Sequence, residues 1–424
     1  MLLVATVTVS GFVSFNSTNI TSYVQDVVYQ TDRSLSDYSD VHLKVRMRYF
    51  GPAYGPPSMN YFTSENLMVQ LREAYLVLRP ASSGFAEFYL GKKRNSFGFA
   101  DAFSSQDVVD PFEVVVPTDL NERAPSVVSQ ISLYPCMLYS AIAEKNFPFD
   151  SEVDFLVRAF NRPSFMGFFA DAVPFTSMKY PQWNITNAFY MARLRLAYYV
   201  FDFDVAYFRG INSFPVLESV KIVNGVPVAI KAEYPWLSGI TGGLSWSLFG
   251  TNFYVEGVYD LFDRDTIPVD IQQTVPSPPF VVRSSDNLTL EDALKISAGV
   301  DFGFKGFEFV FNGGYGLPWE YSIKSENSTF NSFETHLSYY ALGRITRKFL
   351  SNKIELGVSG LAFLAENATD NIADNLNYML MFCAGYMPGS STTFKVITSL
   401  SGGEEPFVRL SELYRVMLYF ETKF

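Results

Sequence analysis

The stretch Tyr414-Arg-Val-Met-Leu-Tyr-Phe-Glu-Thr-Lys-Phe424 sets the fold class of this chain. Every second residue forms one face that is apolar apart from its threonine: Tyr414, Val416, Leu418, Phe420, Thr422 and Phe424. The residues between them form a face that carries the charge: Arg415, Met417, Tyr419, Glu421 and Lys423. A period of two places these sets on opposite sides of a β-strand. The sequence therefore predicts a strand with one apolar side and one polar side.

Composition favours one large closed sheet over several soluble domains. Aromatic residues make up 17% of the 424 residues and charged residues 18%, against the roughly 25% charged residues usual in soluble domains. No apolar run reaches the ~18 residues of a membrane helix, so the apolar residues are spread over alternate positions, as in lipid-facing strands. The net charge of -11 argues against a nucleic-acid partner, which requires a basic surface.

The same alternation recurs near the start of the chain. One face of residues 41–50 is apolar, and the other carries His42, Lys44, Arg46 and Arg48. An arginine or lysine that faces lipid near the bilayer midplane costs roughly 2–4 kcal/mol. We therefore expect Lys44, Arg46 and Arg48 to point into a lumen.

Short and long connections alternate along the chain. The long polar stretches cover residues 51–66, 93–123, 148–186, 213–235, 262–290, 318–333 and 365–374. Alternation of this kind is typical of the short periplasmic turns and long extracellular loops of transmembrane β-barrels. The sequence predicts a single all-β domain over residues 1–424, a transmembrane antiparallel β-barrel. Counting back from the C-terminus gives about 16 strands, beginning near Val41.

Three interpretations of residues 1–40 remain open. The segment helps to close a 16-stranded barrel, raises the strand count to 18, or begins with the remnant of a signal peptide. Elsewhere, Asn224-Gly225 between two short apolar runs predicts a hairpin of residues 220–223 and 226–230 inside an external loop. Helical spacing of Val153, Leu156, Val157 and Phe160 predicts a short loop helix over residues 151–161.

Residues 71–113 carry a set of motifs in a fixed order. Leu71-Arg-Glu-Ala-Tyr-Leu76 and Tyr89-Leu-Gly-Lys-Lys-Arg94 are followed by Phe97-Gly-Phe-Ala-Asp-Ala-Phe103 and Gln106-Asp-Val-Val-Asp-Pro-Phe-Glu113. This segment, about a tenth of the chain, resembles a family of bacterial outer-membrane barrels related to porins and alginate-export channels. Phe97 stands where the family pattern has tryptophan, and Asp110 where it has asparagine.

The resemblance implies a location in the bacterial outer membrane, contact with its lipid, and a homotrimeric assembly. The aromatic end of the chain is also similar to the C-terminal signal that the barrel assembly machinery reads. On that comparison Phe420 and Phe424 would form the assembly signal.

Charged residues suggest a pore constriction. The basic row Lys44, Arg46 and Arg48, joined by Arg193 and Arg195, would form one wall. An inward-folded loop would supply opposing carboxylates: Asp101, Asp107, Asp110 and Glu113. The candidate loops are 93–123 and 148–186, and analogy with porins favours the second. The alternative is that these charges are solvated at the surface or paired across strands.

Catalysis finds little support, because the chain has two histidines, His42 and His336, and no serine motif beside either. The sequence contains no cluster of cysteine and histidine of the kind that binds a transition metal, and no cofactor is expected. We expect Asp263, Asp265 and Asp286 to be solvated carboxylates in a loop. The sequence predicts a porin, a water-filled channel for passive diffusion of small hydrophilic solutes. Two alternatives stay open: a substrate-specific channel, as for sugar or polysaccharide export, and a plugged structural barrel that anchors a surface layer.

Overall fold

A computed structural model describes most of the chain. The described residues are 3–16, 19–50, 63–64, 67–80, 84–100, 104–106, 108–110, 125–138, 149–159, 175–179, 181–182, 184–212, 216–223, 226–263, 266–276, 279–318, 320–325, 334–365, 375–403 and 416–424. Their strands are numbered β1 to β25 in chain order. Helical structure in these residues comprises single turns at 135–138 and at Ile185–Asn187 and one residue, Asn375, before β23. None of the helices in this part of the chain has the length and apolar character needed to cross a membrane.

Eighteen of the described strands form a closed antiparallel barrel. They are β1 (Leu3–Asn16), β2 (Asn19–Ser36), β3 (Ser39–Phe50), β5 (Leu67–Leu78), β6 (Ala86–Lys93), β7 (Ser126–Leu133), β8 (Phe149–Arg158), β10 (Phe189–Tyr198), β11 (Phe201–Ile211), β14 (Trp236–Leu248), β15 (Thr251–Phe262), β18 (Ala293–Phe304), β19 (Phe307–Tyr315), β21 (Ser338–Phe349), β22 (Ile354–Ala365), β23 (Asn377–Tyr386), β24 (Thr392–Gly402) and β25 (Val416–Lys423). Closure comes from the pairing of β1 with β25, from Thr8 opposite Lys423 to Phe15 opposite Val416. The two-residue β4 (Thr63–Ser64) pairs only with β5.

The expected count of 16 strands is wrong, and the alternative of 18 is confirmed. From β3 to β25 the barrel has sixteen strands, which are the strands obtained by counting back from the C-terminus to Val41. Residues 3–36 add β1 and β2, which lie between β25 and β3. The count of 16 left these two strands out because β2 carries polar residues on both faces and resembles a loop in the sequence.

Connections divide the barrel into two ends. The turn end has tight links such as 199–200, 249–250 and 305–306, where Tyr199, Phe249 and Lys305 adopt positive φ angles of 52°, 50° and 49°. The loop end has the long connections 94–125, 159–188, 212–235, 263–292 and 316–337. Two links depart from the expected pattern: 134–148 at the turn end is long, and 17–18 at the loop end is short.

A second sheet of six strands lies in the loop-end connections. It contains β9 (Phe175–Lys179), β12 (Val216–Val223), β13 (Val226–Glu233), β16 (Thr266–Pro276), β17 (Pro279–Glu291) and β20 (Ser322–Ser325). The expected hairpin is confirmed in this sheet, because β12 and β13 pair antiparallel up to Val223 opposite Val226. Asn224 and Gly225 themselves lie outside the described residues.

The expected helix over residues 151–161 is wrong. Residues 149–158 form β8, which pairs with β7 on one side and β10 on the other. The helical spacing of the apolar residues coincided with a strand pattern in which Phe155 faces outward while Asp154 and Leu156 are buried. Pairing with two neighbouring strands outweighs a local pattern of this kind.

The outward faces of the strands are apolar and the inward faces polar. Leu356, Phe382 and Leu418 lie on the outside with 48%, 49% and 46% of their surface exposed, whereas Met417, the inward neighbour of Leu418, is 1% exposed. The two faces of the stretch 416–424 thus follow the expected period of two. A closed barrel leaves no strand edge unpaired, which is the condition for strands to lie in lipid.

Strand β24 allows the outward face to be tested directly. We expect Val396→Arg, which places a cation on the outward face, to lower the free energy of unfolding by about 2–4 kcal/mol. Ser399→Arg, on the inward face of the same strand, should have a much smaller effect. Urea unfolding in lipid vesicles, followed by tryptophan fluorescence, measures both. Equal losses in the two variants would contradict the assignment of faces.

Candidate pore constriction

The connection between β6 and β7 lies against the inside of the barrel wall through its described residues 94–100, 104–106 and 108–110. Its anchor is Glu256 of β15, which is 2% exposed. The main-chain N–H groups of Phe99 and Ser105 donate to the Glu256 carboxylate at 2.8 and 2.9 Å. The hydroxyl of Ser297 on β18 donates to the same group at 2.8 Å. We name these described residues of the connection the inner loop.

Two glycines allow the inner loop to approach the wall this closely. A Cβ atom on Gly98 would lie 1.5 Å from the hydroxyl oxygen of Ser104 in the same loop and 3.1 Å from the Glu256 carboxylate, and one on Gly243 of β14 would lie 2.8 Å from the Gln106 side chain. Gln106 also donates to Asp204 of β11 at 3.3 Å. This part of the loop therefore packs closely against β11, β14 and β15, with no space for larger side chains at these two positions.

The return of the inner loop is held near β8. The main-chain N–H of Asn95 donates to the carboxylate of Asp110, which closes the loop on itself. Arg158 of β8 donates to the main-chain carbonyl of Val109, and its guanidinium lies 4.6 Å from the ring of Phe189. Val109 and Arg158 are both fully or almost fully buried. Asp110, a residue expected at the constriction, is therefore a buried structural contact of the loop.

Arg193 of β10 lies between two buried carboxylates on the neighbouring strands. Its Nη1 donates to Asp154 of β8 at 3.0 Å, and its Nε donates to Asp204. Asp154 is 0% exposed and Asp204 1% exposed. The guanidinium also lies 4.6 Å from the ring of Phe97 in the inner loop. This arrangement, named the Arg193 triad, links three wall strands to the loop.

A chain of polar contacts extends the triad toward β6. Lys93 donates to Gln130 at 2.9 Å, and Gln130 donates to Asp154 at 3.0 Å. Ser132 of β7 donates to the same carboxylate oxygen. Asp154 thus accepts hydrogen bonds from Gln130 and Ser132 in addition to that from Arg193. These hydrogen bonds offset part of the cost of burying the carboxylate.

A cavity of about 310 Å³ lies between the inner loop and this part of the wall. Its lining combines aromatic, cationic and acidic side chains: Tyr89, Lys93, Phe97, Phe99, Gln130, Glu152, Asp154, Arg193 and Arg195. The Arg195 side chain is about one-third exposed there and contacts Asp202 at 3.3 Å.

The basic row on β3 is matched by carboxylates on its neighbours. Arg48 contacts Asp26 of β2 through two hydrogen bonds, at 2.7 and 2.6 Å. Lys44 lies 3.6 Å from Glu73 of β5. Arg46 shares the inward face with both cations. The row does not join Arg193 and Arg195, because β5, β6, β7 and β8 separate β3 from β10.

Other predicted site residues lie apart or outside the described part of the chain. Asp101, Asp107, Glu113 and Asp265, and the side chain of Asp286, fall outside it. Asp263 contacts Arg209 on the outside of the barrel. Segment 148–186, the favoured inward loop, contains β8 of the barrel and β9 of the second sheet. Phe420 faces outward, and Phe424 is exposed beside Val7, with which it shares two main-chain hydrogen bonds.

The sequence analysis did not identify Glu256 and Asp204, and it assigned Asp154 to the candidate loop 148–186. Period-two alternation on their strands would have identified all three as inward-facing carboxylates. Among the described residues no group of three or more His, Cys, Asp or Glu side chains could hold a metal ion.

Apolar side chains fill the loop end of the barrel along the same wall. Val109 of the inner loop belongs to a buried cluster that includes inward-facing residues of barrel strands from β7 to β22, residues of β12 and β17 in the second sheet, and Leu317, Tyr321 and Ile323. Lys295 is buried at this end, 2.9 Å from Asp260. The carboxylate of Glu320 accepts main-chain N–H groups of Leu317 and Ser338, both at 2.9 Å, and its burial raises the pKa above the ordinary value.

A closed antiparallel barrel of eighteen strands, apolar outside and charged inside, defines a transmembrane β-barrel of the outer-membrane type. No family model and no curated protein matches the chain. Solved structures similar to it include the outer-membrane channel DcaP of Acinetobacter baumannii, with a TM-score of 0.44, 10% identity, and coverage of 100% of this chain and 97% of that one. OccK11 (OpdR) of Pseudomonas aeruginosa has a TM-score of 0.46 and 9% identity, with coverage of 99% of this chain and 95% of that one. OmpF of Salmonella typhi, in complex with daunomycin, has a TM-score of 0.45 and 9% identity, with coverage of 100% of this chain and 97% of that one.

Proposed function

We propose that this chain is a porin of a bacterial outer membrane, which lets small hydrophilic solutes diffuse through a water-filled lumen. The observation that carries the proposal is the inner loop anchored on Glu256 inside a closed barrel. A loop fixed against the wall narrows the lumen without requiring a moving part. Passage then depends on pore radius, polar lining and the field between charged walls.

The charge distribution supports a selective constriction beside the inner loop. Lys93, Glu152 and Arg195 line the cavity next to the loop. The row Lys44, Arg46 and Arg48 lies on the inward face of β3, two strands from β6 with Lys93 and five strands from β10 with Arg195. Arg193, Asp154 and Asp204 hold the wall and the loop in place. Whether Asp101, Asp107 and Glu113 complete the constriction remains a prediction from the sequence.

Single-channel recording of the purified full-length chain in a planar bilayer tests this function. We expect steady openings whose current rises linearly with voltage, and a reversal potential across a KCl gradient that reports the dominant wall charge. Openings in steps of three would support the homotrimer that the sequence resemblance implies. If the barrel inserts into the membrane and passes no current, the proposal that the chain is a porin is rejected.

A plugged structural barrel is the second candidate, and one observation favours it. The apolar cluster at the loop end packs Val109, Leu317 and Tyr321 against inward-facing side chains of the wall. Such packing excludes water from that side of the mouth. A silent barrel in the bilayer experiment would therefore support an anchoring role rather than diffusion.

A further inference from the structure

Arg347 is a cation on the outward face of the barrel. It lies on the same face of β21 as Tyr339 and Ile345, which are both exposed on the outside of the barrel. Across the strands it stands opposite Phe307 of β19 and the outward-facing Leu356 of β22. Only Phe349 separates it from the turn end on the same face of β21. Its guanidinium therefore lies beside lipid, close to the turn-end boundary of the membrane.

Two aromatic rings hold the Arg347 guanidinium. Its Cζ lies 4.5 Å from the ring centroid of Phe307 and 4.8 Å from that of Phe349. Stacking on rings orients the planar group and leaves its N–H donors free at the edge. Among the described residues, no side chain or carbonyl forms a hydrogen bond or ion pair with Arg347. The carboxylate of Glu308 on β19 is engaged on the inward side, 3.6 Å from Lys348.

A second cation lies next to Arg347 at the turn end. Lys305 occupies the β18–β19 turn, and its Nζ lies 5.2 Å from the ring of Phe304. Phe304, 58% exposed, pairs in register with Phe307, the ring under Arg347. We name Phe304, Lys305, Phe307, Arg347 and Phe349 the Arg347 patch. It combines two cations with three aromatic rings on the membrane side of the barrel.

A cation on a lipid-facing wall is costly unless it reaches the interface and finds an anion there. The anion available at that depth is the phosphate of a lipid headgroup, whose oxygens match the fork of an arginine. The rings would contact the upper part of the acyl chains. We propose that the Arg347 patch binds the phosphate headgroup of a phospholipid in the leaflet at the turn end. The inference rests on the membrane-spanning part of the proposed function and is independent of conduction.

Native mass spectrometry of the folded full-length protein in detergent, titrated with dioleoylphosphatidylglycerol, tests the site. Arg347→Gln should weaken binding roughly fivefold, as expected for the loss of one interfacial cation. Arg209→Gln is the matched control, because Arg209 is an exposed arginine near the loop end that already contacts Asp263. It should leave the affinity unchanged. Equal affinity in the wild type and Arg347→Gln, or equal loss in both variants, overturns the proposal.

Two further measurements identify the ligand. Dioleoylglycerol, which lacks the phosphate, should bind the wild type and Arg347→Gln alike. Inorganic phosphate should not displace the phospholipid at equal concentration, and displacement would show a small-anion site instead of a lipid site. Conductance of Arg347→Gln should equal that of the wild type. If the wild-type barrel passes no current but Arg347→Gln still binds the phospholipid more weakly, the porin proposal is rejected and the lipid-site proposal is supported.

Discussion

Replacing Arg193 by methionine should lower the free energy of unfolding by about 3–5 kcal/mol, the usual effect of removing one partner from a buried ion pair. Asp154 and Asp204 are 0% and 1% exposed, and Arg193 contacts both. Without the guanidinium, two carboxylates would stay buried with no cation between them. Methionine fills a similar apolar volume, so the loss would reflect the uncompensated charge and not a cavity. Urea unfolding in lipid vesicles measures the difference.

Arg195 provides the matched control on the same strand. It also contacts a carboxylate, Asp202, at 3.3 Å, but both side chains are about one-third exposed. Arg195→Met should therefore cost less than about 1 kcal/mol. The triple variant with Arg193→Met, Asp154→Asn and Asp204→Asn should recover much of the lost stability, because it removes the buried charges together. Equal destabilisation by Arg193→Met and Arg195→Met would show that the triad has no special role.

The strand pattern was readable from the sequence because lipid imposes it. On β25 the contrast between Leu418 and Met417 follows directly from a period of two. The strand number was not readable in the same way. β2 contains carboxylates such as Asp26 and Asp32, and this segment resembles a loop when it is considered without its partner strand. In the barrel these carboxylates face Arg48 and His42 of β3. The charge complementarity between the two segments was the available signal.

The inner loop shows where sequence reasoning ends. The alternation of faces with a period of two places Glu256 on the inward face of β15. Its partners Phe99 and Ser105, however, lie 157 and 151 residues away in the chain. Both contacts involve main-chain N–H groups, which every residue except proline carries, so no side-chain pattern marks them. The contacts depend on the close approach at Gly98. Analogy with porins favoured segment 148–186 for the inward loop, whereas the described contacts inside the barrel involve residues 94–110.

Glu256→Ala should release the inner loop from the wall and increase the single-channel conductance. The carboxylate accepts two main-chain N–H groups of the loop at 2.8 and 2.9 Å, in a site that is 2% exposed. Hydrogen bonds to a charged group contribute roughly 1.5–3 kcal/mol each. Losing both would shift the balance between attached and detached loop by roughly a hundredfold or more. Recordings in a planar bilayer should show larger and noisier openings.

Ser297→Ala separates this effect from a general disturbance of the Glu256 site. Ser297 donates to the same carboxylate at 2.8 Å but belongs to the wall and does not contact the loop through this bond. Its removal leaves both loop N–H contacts in place, so conductance should remain close to that of the wild type. Glu256→Gln, which keeps one acceptor oxygen, should lie between the two. If Glu256→Ala conducts like the wild type, the return contacts through Asp110 and Arg158 hold the loop by themselves. Adding Arg158→Met to Glu256→Ala should then produce the increase that the single substitution lacked.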